Sequence, residues 1–149
     1  MKKIYIGSDH AGFKLKEQIK DWLERKNIPY SDEGNLIFNP YDDYPDYAER
    51  VARKTVKSAS QGILVCGSAQ GVCITANKIR GIRAVIPVSL KEARLSREHN
   101  DANILCLSGW YTSFHQATKM IDKFLSTPFS KAERHLRRVN KIKRLERQP

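Results

Sequence analysis

The strongest constraint on the fold is an alternation between short apolar runs and segments with helical spacing. Each apolar run is followed by a stretch long enough to return the chain to the same edge of a sheet. The pattern therefore predicts an α/β protein with a five-stranded parallel sheet covered by helices on both faces. The five runs are KKIYIG (2–7), NIPYSDEG (27–34), GILVCG (62–67), IRAVIPV (82–88) and ANILCLSG (102–109).

Six helices are predicted between and after these runs, because apolar residues recur there at intervals of three or four. The stretch NLIFNPYDDYPDY (35–47) is rich in Asn, Pro and Asp and is predicted to be a loop. No segment has the composition of a linker, so we expect one domain over residues 1–149. The predicted helices span residues 12–27, 48–59, 71–81, 89–100 and 113–127, followed by an amphipathic segment from Ser130 onward.

Composition narrows the class of protein. A chain of 149 residues, 40% of them hydrophobic, is long enough for one sizeable core. No apolar run approaches the roughly 18 residues that span a bilayer, and the N-terminus turns polar too early for a secretory signal. We therefore expect a cytoplasmic protein with no membrane partner. Cys66, Cys73 and Cys106 lack metal-ligand spacing and fit a reducing compartment. The formal net charge of +11 favours polyanionic or phosphorylated ligands.

Three loops at the carboxyl ends of the predicted strands carry reactive side chains. They are GSDHAG (7–12), CGSAQG (66–71) and SGWYTS (108–113). In open parallel sheets, ligands bind at this edge, so we expect the site there. The polar REHND (97–101) instead ends the helix before the fifth strand.

CGSAQG is the most informative of these loops. Its backbone N–H groups open a helix and form a cradle for an anion, either a phosphate or a developing oxyanion. Cys66 lies beside this positive end, where the pKa of a thiol falls below about 8.5, so Cys66 is a candidate base. The alternative is a buried structural cysteine that ends a core strand. No lysine follows the turn as in a P-loop, which argues against nucleotide hydrolysis.

Two histidines have polar neighbours suited to proton transfer or phosphate binding. Asp9 and His10 end the first strand and could act together on a hydroxyl or a phosphate. Alternatively, Asp9 caps the next helix and His10 is solvated. His99 and Asn100 belong to the site or cap the C-terminus of their helix. Two histidines and a thiol at loop positions suggest one site.

The basic segment RHLRRVNKIKRLER (134–147) has two interpretations. Arg134 and Arg138 lie four residues apart on one helix face, a spacing suited to gripping a phosphate. Most of the other cations are expected to be solvated. Trp110 and Tyr111 stack on a base or pack, and packing is favoured. A nucleic-acid-binding module with salt-dependent affinity is the rival function, although we expect no nucleic-acid partner.

Five motifs, in their order along the chain, resemble the type B ribose-5-phosphate isomerases, a family that includes galactose-6-phosphate and allose-6-phosphate isomerases. They are GSDHAG, DYPDYA, CGSAQGVCITANKIRGIRA, EHNDANIL and RHLRRV, and the likeness runs from Lys3 to Val139. The resemblance implies a Rossmann-like α/β/α sandwich and an aldose–ketose isomerase of the pentose phosphate pathway. It also implies no metal or organic cofactor, and a homodimer, or a dimer of such dimers, whose sites are completed by the neighbouring subunit. Ribose 5-phosphate is the expected substrate, and a hexose 6-phosphate is the alternative.

The resemblance also implies roles for individual residues. Cys66 matches the family's catalytic base, and Ser68 stands where a hydroxyl moves protons between sugar oxygens. His99 matches the ring-opening residue, assisted by Asp9. The implied substrate-binding residues are Asp9, the anion hole Gly67, Ser68, Ala69, Gln70 and Gly71, the ligand contact Asn100, and the phosphate grip His10, Arg134 and Arg138.

Two positions depart from the family's pattern. Many members carry Gly where this chain has Ala69, so a left-handed backbone there would carry a small penalty. Many members also place an Arg at the phosphate where Trp110 stands. This removes one cation, and it leaves the choice between pentose and hexose phosphates open.

Overall fold

The computed structural model describes residues 2–147. Its centre is one sheet whose strands are all parallel. In space the strands follow the order β2-β1-β3-β5-β4. The predicted five-stranded parallel sheet is therefore confirmed. The strands are β1 (Ile4–Ser8), β2 (Tyr30–Asp32), β3 (Gly62–Cys66), β4 (Ala84–Val85) and β5 (Ile104–Ser108).

Two layers of helices cover the sheet. The apolar faces of α1, α4 and α5 pack on one side, and those of α2 and α3 pack on the other. The predicted α/β/α sandwich is confirmed. Among residues 2–147, no helix is both long and apolar enough to cross a membrane. The helices are α1 (Phe13–Arg25), α2 (Tyr44–Lys57), α3 (Gln70–Asn77), α4 (Leu90–Asn100), α5 (Phe114–Ser126) and α6 (Glu133–Leu145).

The central strands β3 and β5 are buried along their whole length. Side chains alternate between the two layers, so each position must be apolar or small, and the strand sequences show no polar alternation. Cys66 pairs in register with Ser108 at the carboxyl end of these strands. Gly62 pairs with Ile104 at the amino end. The loops after β3 and β5 therefore leave the sheet at one edge.

β1 is the point at which successive strands are added to opposite sides of the sheet. The chain crosses from β1 to β2 on one side, then returns to place β3 on the other side of β1. The loops after β1 and β3 thus diverge and leave a crevice between the carboxyl ends of the two strands. This crevice lies between Asp9 and Cys66, two of the candidate residues.

Several element boundaries differ from those predicted. α2 begins at Tyr44 rather than Ala48, because Pro45 needs no hydrogen-bond acceptor in a first turn and its fixed φ is helical. α3 ends at Asn77 rather than at Gly81, whose φ of 89° belongs to the following turn. β4 has only two residues, since it is an edge strand that pairs with β5 alone.

Candidate active site

Cys66 is the last residue of β3, and only 4% of it is exposed. Burial raises the pKa of its thiol above the ordinary value. The backbone N–H groups of Val72, Ala69 and Gly71 reach the thiol and favour the thiolate, whereas the Asp9 carboxylate opposes it. The predicted lowering of the pKa of Cys66 is therefore wrong, because the helix N-terminus is outweighed by burial.

The turn after β3 is built around Ala69, which has a left-handed backbone with φ 68° and ψ −12°. The strain expected at this position is about 1 kcal/mol relative to glycine. Ala69 is fully buried, while Ser68 and Gln70 on either side are exposed. The Gln70 N–H donates to Ser68 Oγ at 3.4 Å. The turn therefore places the positive end of α3 beside Cys66.

Aromatic rings cover both glycines of this turn. A Cβ on Gly67 would lie 2.6 Å from the Trp110 ring, and one on Gly71 would lie 2.5 Å from the Tyr44 ring. Trp110 meets Tyr111 edge to face, with 6.2 Å between ring centroids. Trp110 is nevertheless 65% exposed and Tyr111 80%. The favoured packing interpretation thus accounts for only part of their surface, and Tyr44 is a neighbour of the turn that the sequence interpretation missed.

Asp9 lies across the crevice from Cys66, directly after β1. It is buried, and its Oδ1 accepts the Gly12 N–H at 3.0 Å. Burial raises the pKa of Asp9, and the hydrogen bond from Gly12 and the charge of His10 act against this rise. Asp9 therefore accepts a hydrogen bond from the backbone where α1 begins, and its charge raises the pKa of Cys66. Its action on a hydroxyl or a phosphate stays a prediction.

His10 is held by Asp42, which the sequence interpretation left in a loop. Asp42 Oδ1 accepts the His10 backbone N–H at 3.0 Å and lies 2.7 Å from His10 Nδ1. The Asp42 side chain is 3% exposed, compared with 39% for the imidazole. The hydrogen bond to Asp42 raises the pKa of His10, although burial opposes it. Cationic His10 is therefore favoured, with Nε2 on the side of the ring away from Asp42, where it can face an anion.

A buried lysine anchors the segment that leads to Asp42. Lys16 is fully buried, and its Nζ donates to Asp32 Oδ2 at 2.6 Å and to the Asn35 carbonyl at 2.7 Å. Asn35 Nδ2 in turn donates to Asp42 Oδ2. Polar contacts therefore connect α1 to His10 through the loop. A lysine on the apolar face of a predicted helix was the sequence signal for this network, because buried lysines require partners.

His99 and Asn100 lie at the opposite edge of the sheet. They end α4, which leads to Ile104 at the start of β5, and Ile104 pairs with Gly62 at the start of β3. Cys66 is at the other end of β3, and a five-residue strand is about 13 Å long. The predicted cluster of two histidines and a thiol is therefore wrong for a single chain.

His99 stacks on His135, a residue that the sequence interpretation did not select. The ring centroids are 4.2 Å apart with an interplanar angle of 34°. His135 is buried, its Nδ1 lies 2.7 Å from Ser130 Oγ, and its Nε2 accepts from Arg134 Nε at 3.3 Å. Burial lowers the pKa of His135, and the charges of His99, Arg134 and Arg138 lower it further. A neutral His135 thus positions His99 and Arg134 beside each other.

The candidate residues therefore form two groups at opposite edges of one chain. The carboxyl edge offers a thiol, a carboxylate and backbone donors for proton transfer, and the amino edge offers an imidazole and two guanidinium groups for an anion. The first group is Asp9, His10, Cys66, Gly67, Ser68, Ala69, Gln70 and Gly71, and the second is His99, Asn100, Arg134 and Arg138.

Ligand atoms suited to a metal ion occur together at one place in residues 2–147. Asp9, His10 and Asp42 offer such atoms within 4.8 Å of one another. The hydrogen bond between His10 and Asp42 already engages two of them. The cysteines are free thiols, of which Cys106 is buried and Cys73 half-buried.

The fold and the site together define a class of protein. A parallel α/β sandwich with a buried thiol, a carboxylate and an imidazole around a helix N-terminus is suited to proton transfer on a small anionic substrate. The model of the Ribose/Galactose Isomerase family matches residues 4–142. The chain belongs to this family, and the family predicted from the five motifs is confirmed.

Similar proteins share both the sequence and the structure. A probable ribose-5-phosphate isomerase B of Mycoplasma genitalium is 43% identical over 147 residues, covering 97% of this chain and 96% of that one. Ribose-5-phosphate isomerase B of Mycobacterium tuberculosis strain H37Rv is 38% identical over 146 residues, covering 97% and 90%.

Solved structures extend the comparison to the backbone. The ribose-5-phosphate isomerase B of Mycoplasma genitalium with bound ribulose-5-phosphate has a TM-score of 0.93 and 42% identity, covering 99% of this chain and 97% of that chain. The enzyme of Thermotoga maritima has a TM-score of 0.91 and 45% identity, covering 95% and 97%.

Proposed function

We propose that the chain interconverts ribose 5-phosphate and ribulose 5-phosphate, with Cys66 as the base that moves a carbon-bound proton. As a member of its family, the chain is an aldose–ketose isomerase. The similar Mycoplasma genitalium structure was solved with ribulose-5-phosphate bound. Within this chain, the observation that carries the proposal is the buried Cys66 thiol beside three backbone N–H groups.

The reaction moves one proton between neighbouring carbons. The Cys66 thiolate takes the proton from C2 of the open-chain aldose, and the electron pair of that bond passes through the C1 carbonyl to its oxygen. The resulting enediolate regains the proton at C1, while a hydroxyl proton moves from O2 to O1. Backbone N–H groups of the turn stabilise the negative charge as it leaves sulfur for oxygen, and one such donor is worth about 10²–10³ in rate.

The raised pKa of Cys66 has two opposite effects on this step. At neutral pH the resting thiol is protonated, so it must lose its proton before it can act as a base. Once formed, however, a thiolate of higher pKa is the stronger base toward a carbon acid. The three N–H groups at the thiol favour this charged form.

The other residues of the carboxyl edge handle oxygens and phosphate. Ser68 is exposed beside Cys66 and moves the hydroxyl proton between the two sugar oxygens. Asp9 assists ring opening. His10, cationic because of Asp42, contributes to the phosphate grip with arginines. A phosphate held away from the reacting carbons fixes the sugar across the thiol.

A second copy of the chain completes each site in this proposal. His99 and the two arginines of the phosphate grip lie too far from Cys66 within one chain, because they occupy the opposite edge of the sheet. A homodimer that packs the surface around His99, Arg134 and Arg138 of one chain against the carboxyl edge of its partner joins the two groups. His99 of one chain then opens the sugar ring over Cys66 of the other, and Asn100 contacts the ligand.

The carboxyl edge also exposes an apolar surface that fits such a partner. Leu36, Ile37, Phe38 and Tyr41 lie in the loop before α2 and are 70%, 82%, 54% and 91% exposed. This loop also carries Asp42, which binds His10. Exposed apolar clusters of this kind mark protein interfaces, so the dimer contact adjoins the proposed substrate site.

The proposal also covers the domain, the cofactor requirement and the location of the protein. Residues 1–149 act as one sugar-phosphate isomerase domain, and the proton transfers described require no metal or organic cofactor. The three free thiols support a cytoplasmic location.

Initial rates with ribose 5-phosphate, allose 6-phosphate and galactose 6-phosphate, measured side by side, test the substrate. We expect kcat/KM to be highest for ribose 5-phosphate. A higher kcat/KM for either hexose phosphate would identify the chain as a hexose-6-phosphate isomerase. No isomerisation of any of the three sugars would refute the proposal.

Mixed dimers test the shared site. Chains with Cys66→Ala and chains with Arg138→Ala are each expected to be poorly active alone. If the grip comes from the partner, a mixed dimer contains one fully intact site, so activity should return on mixing. Absence of recovery in dimers shown to be mixed would contradict this geometry.

A further inference from the structure

The amino edge of the sheet contains a second cavity, away from Cys66. A groove of about 780 Å³ lies between the ends of α2, α5 and α6 and the turn after α3. This volume is within the range of small-molecule sites, roughly 300–1,000 Å³. The charged side chains that line it are the cations Lys2, Arg80, Arg83, Arg97, Lys143 and Arg147 and the carboxylates Asp101 and Glu146.

Two arginines are fixed around a single carboxylate in the lining. Arg83 Nη2 and Arg97 Nη1 each donate to one oxygen of Asp101 at 2.9 Å. Their side chains are only 13% and 12% exposed. Arg83 Nε also donates to the Asp101 carbonyl at 2.9 Å, and Arg97 Nε donates to the Thr127 carbonyl at 3.3 Å. One carboxylate between two guanidinium groups leaves a net positive charge whose position is already ordered before a ligand arrives.

Exposed cations surround this pair. Arg80, Lys143 and Arg147 are exposed, and none of them forms a salt bridge within the described part of the chain. The other carboxylate, Glu146, accepts the Gly81 N–H at 2.8 Å. Helix C-termini carry partial negative charge, which accounts for cations within their last turns. Arg80 and Arg147 lie beyond the ends of α3 and α6 and are not explained in this way.

The residues that line the groove favour phosphate groups over nucleotide bases. Its described residues include no aromatic side chain. Single-stranded nucleic acids and nucleotide bases are commonly bound by stacking on aromatic rings. The groove lacks such a platform, whereas its arginines and lysines suit phosphoryl oxygens.

We propose that this groove binds a small molecule that carries several phosphate groups, at a site separate from the isomerase site. The ordered pair Arg83 and Arg97 supplies positive charge at a fixed position. Arg80, Lys143 and Arg147 contact the ligand around that pair. This binding function extends beyond sugar isomerisation. It also gives a role to the end of the basic C-terminal segment, which the phosphate grip at Arg134 and Arg138 does not use.

Isothermal titration with inorganic tripolyphosphate tests the proposal on the full chain at low salt. We expect one site per chain, undiminished when ribose 5-phosphate saturates the isomerase site and undiminished in the Arg138→Ala variant. The double variant Arg80→Gln, Lys143→Gln should weaken binding at least tenfold and keep isomerase activity. The matched control Lys57→Gln, Lys123→Gln removes the same charge from exposed helix ends outside the groove, and it should change affinity less than twofold. Arg147→Gln alone provides a second groove variant with less perturbation of α6.

Three results would overturn the proposal. Equal losses in the groove and control variants would mean attraction to net charge without a site. Displacement of tripolyphosphate by ribose 5-phosphate, or its loss in Arg138→Ala, would place the anion at the isomerase site. Tighter binding of a single-stranded RNA 20-mer than of tripolyphosphate, through the same cations, would identify a nucleic-acid surface instead.

Discussion

The two edges of the sheet give ionisable side chains opposite surroundings. At the carboxyl edge, a helix N-terminus and buried carboxylates surround Cys66 and His10. At the amino edge, the C-terminus of α4, the first turn of α6 and arginines surround His99 and His135. The first edge is suited to stabilising charge that moves during a reaction, and the second is suited to holding an anion in place. The same side chain, an imidazole, therefore has different electrostatic surroundings at the two edges.

The two histidines that have shifted pKa values illustrate this contrast. The hydrogen bond that His10 donates to Asp42 raises the pKa of His10. Burial lowers the pKa of His135, and neighbouring cations lower it further. Near neutral pH one imidazole is therefore favoured as a cation and the other as a neutral acceptor. Each change below affects one edge while leaving the other intact.

Replacement of Cys66 should have the largest effect. Cys66→Ala removes the base at the carboxyl edge, and we expect kcat for ribose 5-phosphate to fall by roughly 10²–10⁴. Affinity for the phosphosugar should stay within about threefold, since the thiol does not hold the phosphate. Steady-state rates and titration calorimetry measure the two quantities. Cys73→Ala, which removes another thiol, is the control and should retain activity; more than a tenth of the native rate in Cys66→Ala would exclude Cys66 as the base.

Replacement of His99 should separate the two edges in one experiment. Ribose 5-phosphate is mostly a closed ring, whereas ribulose 5-phosphate cannot close through its phosphorylated 5-oxygen. His99→Asn should therefore lose most turnover of ribose 5-phosphate, by about 10² or more, yet keep most of the exchange of solvent deuterium into C1 of ribulose 5-phosphate. Nuclear magnetic resonance follows the exchange, and Cys66→Ala should lose both. An exchange rate that falls as far as turnover in His99→Asn would place His99 in the proton transfer at carbon.

Replacement of Asp42 should have a smaller effect that depends on pH. In Asp42→Asn, His10 loses its anionic partner, so its pKa should fall and KM for ribose 5-phosphate near neutral pH should rise about tenfold. The raised pKa of His10 stabilises the native protein fully below the unfolded value of 6.5, and this contribution is lost as pH rises through the folded value. The difference in unfolding free energy between native protein and variant should therefore be largest below about pH 6.5 and shrink as pH rises through the folded pKa of His10.

Urea denaturation at pH values on both sides of that pKa, with the chemical shift of His10 as a direct titration, measures this effect. Asp43→Asn, an adjacent exposed carboxylate, is the matched control. An unchanged His10 titration in Asp42→Asn would show that the contact does not set the charge of His10, whatever the activity.

Replacement of Ala69 should have the smallest effect. Ala69→Gly relieves about 1 kcal/mol of left-handed strain. Two effects oppose this gain: the loss of a buried methyl group and the greater freedom of the unfolded chain. Each of them destabilises the native state by about 0.5–1 kcal/mol. We expect the free energy of unfolding to change by less than about 1 kcal/mol. Ala69→Val, with a branched side chain at a positive φ, should instead destabilise by more than about 2 kcal/mol. Equal stabilities of the Gly and Val variants in urea would contradict the left-handed backbone.

The sequence predicted the elements of the sheet well because each apolar run is a local signal. The start of α2 at Tyr44 was missed because proline and aspartate residues resemble a loop, although Pro45 fits a first helical turn. The direction of the pKa shift of Cys66 was missed for another reason. The helix N-terminus can be read from a short motif, but burial depends on the whole fold.

Two features of the site depend on contacts that no local pattern contains. Asp42 binds His10 from 32 positions further along the chain, and the loop between β2 and α2 brings it there. The separation of His99 from Cys66 follows from the register of β3 and β5. Periodicity along the chain predicts which strands exist, but not which distant side chains meet across the sheet or between two copies.

The burial of Cys66 also bears on how long the protein survives under oxidative stress. Peroxides attack the thiolate, and a thiol held protonated in a buried position reacts slowly with them. Oxidation to sulfenic acid is therefore confined to the fraction of time in which the charged sulfur is both formed and uncovered. While the Cys66 thiol is protonated and buried, it is protected from oxidation.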